Sequence, residues 1–251
     1  MKTAIAKVAL RSAGILSALT LAAATVAHAD PMIVNGGFEQ TLTPTSSQFG
    51  SQYPSQQVTG WNSTGYNFVF LPGTANTTGA VGTDNPVIFW GPANGSNNGF
   101  TASPDGGNFV AIDGVYQPGP LTQVVTGLTP GSPVTISFYY AGAQQYGFDG
   151  DTTDAIQISL GSETYTTDVL SVDNHGFTGW QAASFTFTPT STSELLSFMA
   201  DSTPAGDPPF ALLDGVTITS PVPEPGSLVL LSTGLLSAAG YVGRRYRKLK
   251  G

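Results

Sequence analysis

Between residues 108 and 218 the chain alternates apolar and polar positions with a period of two, in short runs separated by glycine, proline, asparagine and aspartate. That period is the signature of strands with one buried face. It predicts strands at 108–113, 121–125, 134–140, 155–160, 163–167, 181–188, 194–199 and 210–218. Short strands spaced by turn residues indicate an all-β sandwich or barrel. Residues 40–103 alternate weakly and are rich in Asn, Gly and Ser, which predicts two or three strands joined by long loops. No helical stripe interrupts this middle region, and it contains no internal repeat.

The ends follow a different pattern. Lys2, Lys7 and Arg11 precede an uncharged run from Ala13 to Ala27, and Ala27-His28-Ala29 places small residues before a cut between Ala29 and Asp30. This is the layout of a secretory signal peptide over residues 1–29, which predicts processing by signal peptidase. At the other end, residues 226–243 carry no charge and are followed at once by Arg244, Arg245, Arg247, Lys248 and Lys250. As a helix this stretch spans roughly 27 Å, enough for a thin bilayer. The basic tail at 244–251 reads as a stop-transfer signal that keeps the C-terminus cytoplasmic. Pro223, Glu224 and Pro225 stand just before it; two prolines around one residue make an exposed, extended linker open to a processing enzyme.

Charge sharpens the division into segments 1–29, 30–220 and 221–251. Every Lys and Arg lies in the two ends, so residues 30–223 hold fifteen carboxylates, no Lys or Arg, and a formal charge of −15. Such a surface has no phosphate clamp, which excludes nucleic acid as a direct partner. Uncompensated carboxylates favour a divalent cation instead. The absence of Cys removes thiol and zinc–thiolate chemistry, and stability must come from the core.

Two resemblances rest on these residues. Pro223-Glu224-Pro225, the apolar helix and the Arg-rich tail resemble the PEP-CTERM sorting domain of Gram-negative bacteria. The resemblance implies an exosortase as partner, a transient inner-membrane intermediate, and a final place at the cell surface or outside it. It also implies association with exopolysaccharide and biofilm matrix. Within the middle segment, the order of Asn35-Gly36-Gly37-Phe38-Glu39, Trp61, Leu121–Gly131, Val134–Ala141, Gly179-Trp180-Gln181 and Leu212–Val216 is similar to galactose-binding-like jelly rolls, as found in carbohydrate-binding modules. That likeness implies a jelly-roll β-sandwich with Trp61 and Trp180 in the core, and a structural calcium ion on Glu39 and Asp214.

Candidate chemistry is sparse elsewhere. Asp149, Asp151 and Asp154 form a second candidate cation cluster, or an acidic turn without EF-hand spacing. His175 is the only histidine of residues 30–220, and its neighbours Ser171 and Asp173 are too close in sequence to single out a triad. No pair of carboxylates stands out for glycoside hydrolysis. No catalytic residue is assigned, and the expected protein is not an enzyme. Trp90, Tyr116 and Tyr146 lie beside loops rich in Asn, Gln and Asp and are the candidate sugar platforms. Three functions therefore compete: a non-catalytic surface or matrix protein, a carbohydrate-binding module for a secreted polysaccharide, and a hydrolase of that polysaccharide.

Overall fold

The computed structural model describes residues 31–83, 85–220 and 234. The signal segment, the Pro-Glu-Pro linker and, apart from Gly234, the expected anchor helix lie outside the described residues. Among those described, no helix is long and apolar enough to cross a membrane.

Among the described residues twelve strands form two antiparallel sheets. The first contains β1 (Ser47–Gln48), β3 (Phe68–Phe70), β4 (Phe109–Asp113), β12 (Pro209–Thr219), β6 (Val134–Gln144) and β10 (Gln181–Phe187), in that spatial order. The second runs β2 (Asn62–Ser63), β5 (Leu121–Thr126), β11 (Ser193–Thr203), β7 (Thr152–Leu160) and β8 (Glu163–Thr166), with β9 (Leu170–Val172) paired to the far end of β7. This is an all-β sandwich, one of the two architectures the alternation predicted, and the jelly-roll class that the resemblance implied. The eight expected strands are present, several of them longer than the pattern showed.

Alternation places the core. Val110 and Ile112 of β4, Ala211 and Leu213 of β12, and Ile136, Phe138 and Tyr140 of β6 face inward against Val125, Ile156, Ile158, Leu196 and Phe198 of the second sheet. Trp61 is 4% exposed, seated between Phe38 and Phe198, with its Nε1–H donating to Asn35 O at 3.0 Å. The intervening residues of the first sheet are buried too. Phe109, Ala111, Ala141, Phe210 and Leu212 meet Ala75, Ala80, Val87 and Phe89 of the 71–107 segment, with Phe100, Phe177 and a half-buried Trp180 at its margin. The first sheet thus has apolar packing on both faces over its upper half, and that long connection is the cover.

The registers bring six strand ends together. Asp113 pairs with Phe210, Gln144 with Pro209, Thr152 with Val172, and Thr153 with Thr203. The connections 114–120, 145–151, 173–180 and 204–208 therefore crowd one end of the sandwich. The covering segment joins them there, through Trp90 N–H to Gln144 O (3.1 Å) and Tyr146 N–H to Ile88 O (2.7 Å).

Candidate functional site

The opening motif builds a carboxylate corner. Asn35 fixes the turn: its side chain accepts from Gln40 N–H and donates to Gln40 O and Thr59 O. Gly36 runs along the closing strand, where Val216 N–H donates to its carbonyl at 3.0 Å and a Cβ would collide with Val216 O. Phe38 takes a left-handed backbone (φ 59°), unusual for a side chain of its size, and is held there by complete burial in the core. Glu39 then reaches Asn108 N–H, with its Oε1 2.7 Å away. On the facing strand the β12–β6 register slips between Asp214 and Thr217. Such a bulge re-aims a side chain.

Glu39 and Asp214 are thus brought to one corner, and Asp105 joins them. A Cβ on Gly37 would stand 2.9 Å from Asp105 Oδ2, 3.9 Å from Asp214 Oδ1 and 3.9 Å from Glu39 Cγ, so three carboxylates surround a residue with no side chain. Asp214 is fully buried. Its Oδ1 accepts from Gly215 N–H at 2.7 Å, and its Oδ2 has no partner. Burial pushes this carboxyl up to about 7; the Ser103 hydroxyl and Gly215 N–H oppose the rise, and Asp105 and Glu39 add to it. Among the described residues no group of three His, Cys, Asp or Glu side chains is placed to hold a metal ion by itself. The corner is all oxygen, with one orphaned carboxylate oxygen on Asp214 and no Lys or Arg in residues 30–223 to pair with it, the chemistry that hard cations take.

The second expected cluster is dispersed. Asp149 Oδ1 accepts from the His175 ring (Nε2···Oδ1 2.6 Å), Asp151 Oδ1 accepts from Asn174 N–H, and Asp154 points into the sandwich toward Ser202. The three share no partner. The alternation that β7 begins at Thr152 turns Asp154 inward, while Asp151 stays in the loop.

At the loop end the candidate aromatics divide into two groups. Trp90 and Tyr146 are neighbours, with ring centroids 4.5 Å apart, and His175 stacks on Trp90 at 3.8 Å and 27°. His175 sits at φ 58° and is pinned from several sides. Its N–H donates to Gln144 Oε1, and its carbonyl accepts from Ser96 Oγ and Asn98 Nδ2. The ring meets Asp149, not Ser171 or Asp173. Beyond this ridge lies a polar groove of about 650 Å³, with Asn97, Asn98, Asp173, Asn174, His175 and Gln181 in its walls. Sequence reasoning passed over this groove, because its amides come from two segments about 75 residues apart.

Tyr116 belongs to the other group. It packs edge-on against Tyr66 (5.3 Å, 76°) and stays 58% exposed. Asp113 holds the turn that presents it, its two carboxylate oxygens accepting from the N–H groups of Val115, Tyr116 and Gln117. Tyr66, Tyr116, Phe148 and Phe210, with Asn85 and Gln145, line a recess of about 500 Å³ whose walls, among the described residues, carry no charged side chain. Trp90 links the two recesses: its ring stacks on His175 and its Nε1–H donates to Phe148 O at 3.0 Å.

Among curated proteins nothing matches the chain in sequence. Among solved structures it is similar to a CBM4 module, at 17% identity over 75% of this chain and 99% of that one, with a TM-score of 0.32. It is also similar to the CBM22-1 xylan-binding domain of Xyn10C from Paenibacillus barcinonensis, at 12% identity over 78% and 97%, TM-score 0.35. A third is the K1 cleaved adhesin domain of Lys-gingipain from Porphyromonas gingivalis W83, at 10% identity over 73% and 99%, TM-score 0.37. The fold is defined by its own sheets and registers, not by these distant likenesses. Residues 221–248 match the PEP-CTERM protein-sorting motif, so the chain carries, directly behind β12, the signal for exosortase-sorted export through a membrane-anchored stage.

Proposed function

We propose that the chain is a non-catalytic protein of the cell surface or extracellular matrix, processed by signal peptidase and exosortase, that binds a polysaccharide through the loop end of its sandwich. The observation that carries the binding is the 500 Å³ recess of Tyr66, Tyr116, Phe148 and Phe210 beside the amides of Asn85 and Gln145. Sugar rings lay their C–H faces on aromatic rings and direct hydroxyls to amides, and concave sites with few placed polar groups suit such ligands. A polysaccharide ligand would tie the sorted protein to an exopolysaccharide or biofilm matrix. A structural calcium ion belongs to the same reading, with Glu39, Asp105 and Asp214 as its carboxylate ligands and backbone carbonyls and water completing six to eight oxygens.

A glycan array probed with the full-length chain in neutral detergent tests the binding. Tyr116→Ala is expected to weaken binding about tenfold or more, as for a central aromatic anchor. The melting temperature should stay unchanged, because the ring is 58% exposed. Failure to bind any glycan, including the polysaccharide made by the producing cell, would refute the reading.

Sorting has its own measurement. Mass spectrometry of the protein recovered from the cell exterior is expected to show a C-terminus at or near Pro223-Glu224-Pro225. A Pro223→Ala/Pro225→Ala chain should remain in the inner membrane with its Arg-rich tail. Wild-type protein outside the cell with residues 244–251 intact would refute processing.

A further inference from the structure

The carboxylates of the loop end are gathered around both recesses. Asp173 lines the polar groove, and Asp149 joins its wall through His175 at 2.6 Å. Asp151 Oδ1 holds the backbone of Asn174, another wall residue, at 2.9 Å. Asp207 stands between Gly206 and Pro208, both in the wall of the aromatic recess, and its Oδ2 lies 3.2 Å from where a Cβ on Gly150 would be. Four acidic side chains from three connections thus flank the two recesses, which Trp90 joins through His175 and Phe148. Asp149 is 82% exposed, so its charge faces the solvent from which a ligand arrives.

Nothing on this surface balances them. Residues 30–223 contain no Lys or Arg, and His175, the one group able to carry positive charge there, is already held by Asp149. An anionic sugar approaching either recess meets like charge, from Asp173 and Asp149 at the polar groove and from Asp207 beside the aromatic recess. A cationic one gains from the rim, and also from aromatic faces, whose electron-rich surfaces attract ammonium groups. Tyr116 and Phe148 in the aromatic recess supply such faces.

We infer that the loop end selects an amine-bearing glycan, a polymer containing free amino sugars, because Asp149, Asp151 and Asp173 flank its polar groove, Asp207 flanks its aromatic recess, and residues 30–223 hold no Lys or Arg to offset them. This rests on the glycan-binding reading above and specifies its ligand. The aromatic recess takes sugar rings, and the rim sets the preference for protonated amines. Charge at the rim acts mainly on encounter and selectivity, so the preference is salt-sensitive.

Calorimetric titration of the full-length chain in detergent and EDTA tests this. The probes are a fully de-N-acetylated β-1,4-glucosamine hexamer, its N-acetylated counterpart, a hexauronate and pentalysine. The glucosamine hexamer is expected to bind about tenfold more tightly than the N-acetylated form in low salt, from several exposed charge pairs acting together. That advantage should shrink toward equality in 0.5 M NaCl and in a chain carrying D149N, D151N, D173N and D207N. Equal affinity for both hexamers at low salt, with both lost in Tyr116→Ala, overturns the amine preference and leaves glycan binding standing. Tightest binding of the hexauronate overturns it as well. Pentalysine binding as well as the glucosamine hexamer overturns the glycan half, and binding of no saccharide overturns both readings together.

Discussion

Calcium at millimolar concentration is expected to raise the melting temperature of the chain by roughly 6–10 °C over EDTA at pH 7.5. A ligand present at about 100 times its dissociation constant stabilises the native state by about 2.7 kcal/mol, and a domain of this size shifts by about 2–4 °C per kcal/mol. The gain should depend on pH in a defined direction. Burial holds the Asp214 carboxyl at about 7, well above its value in an unfolded chain, so without a cation the folded state takes up a proton as it forms. Stability then falls as pH rises from about 4 to about 7. A bound cation replaces that proton, so calcium adds little at pH 5 and its full effect appears above pH 7. Asp214→Asn should abolish the gain, and Asp105→Asn should reduce it, because Asp105 faces the same space beside Gly37. Magnesium should substitute poorly, since it demands a tighter octahedral shell. A midpoint that is indifferent to EDTA at pH 7.5 would remove the ion from this corner.

Glu39 and Asp214 were singled out through the resemblance of their motifs to carbohydrate-binding modules, and the structure places them at one corner because the neighbours in the opening motif have structural work. Asn35 ties the turn, Gly36 passes the backbone of Val216, and Phe38 enters the core beside Trp61. Asp105 was not legible. Its surroundings, Ser103-Pro104-Asp105-Gly106-Gly107, read as an ordinary turn, and only the packing of that turn against β12 shows that it faces Asp214. The same limit governs the aromatics. Trp90, Tyr116 and Tyr146 all sit in loops, but proximity depends on strand registers that local patterns do not contain. Trp90 and Tyr146 meet because the 71–107 segment docks on the end of β6, whereas Tyr116 is carried by the β4–β5 turn to another recess.

The fold shows a parallel division. Strands with one covered face, such as β5, alternate cleanly and were found nearly to the residue. Where the first sheet is covered on both faces, alternation fades: β4 is buried throughout, and the second half of β6 reads Ala141-Gly142-Ala143. Small residues there make room for the covering segment, so a strand predicted to stop at Tyr140 continues to Gln144. Residues 40–103 alternate only weakly because much of that stretch packs as a cover of separate apolar anchors, Ala75, Ala80, Val87, Phe89 and Phe100, joined by isolated bridges such as Ala80 with Val87. β9, three residues long, offers too short a run for any period to be seen.

One register has a thermodynamic consequence of its own. Because β7 starts at Thr152, Asp154 faces the interior, fully buried, with Oδ1 accepting from Ser202 Oγ at 2.6 Å and Oδ2 without a partner. Burial pushes its carboxyl up to about 7, the Ser202 hydroxyl resists, and Asp113 adds to the rise. As at Asp214, the folded state binds the extra proton, so between about pH 4 and pH 7 stability declines, and above pH 7 the chain holds a buried, half-satisfied charge. A rise of roughly three pKa units corresponds to about 4 kcal/mol at most. Asp154→Asn keeps the shape and the acceptor for Ser202 and removes the charge, while leaving an amide N–H group to be satisfied at about 1 kcal/mol. The variant should therefore be slightly less stable than the parent at pH 4.5 and more stable by about 1–3 kcal/mol at pH 8, with the two curves crossing in between. Chemical denaturation of both chains across this range, each in EDTA, isolates the effect, because Asp214 contributes equally to both and cancels in the difference. Parallel curves, with no change in the gap between pH 4.5 and pH 8, would show that Asp154 does not carry the proton. A crossing would mean that this Lys- and Arg-free domain uses protons inside the sandwich where other proteins place counter-charges, and that its most stable state lies on the acid side of neutrality.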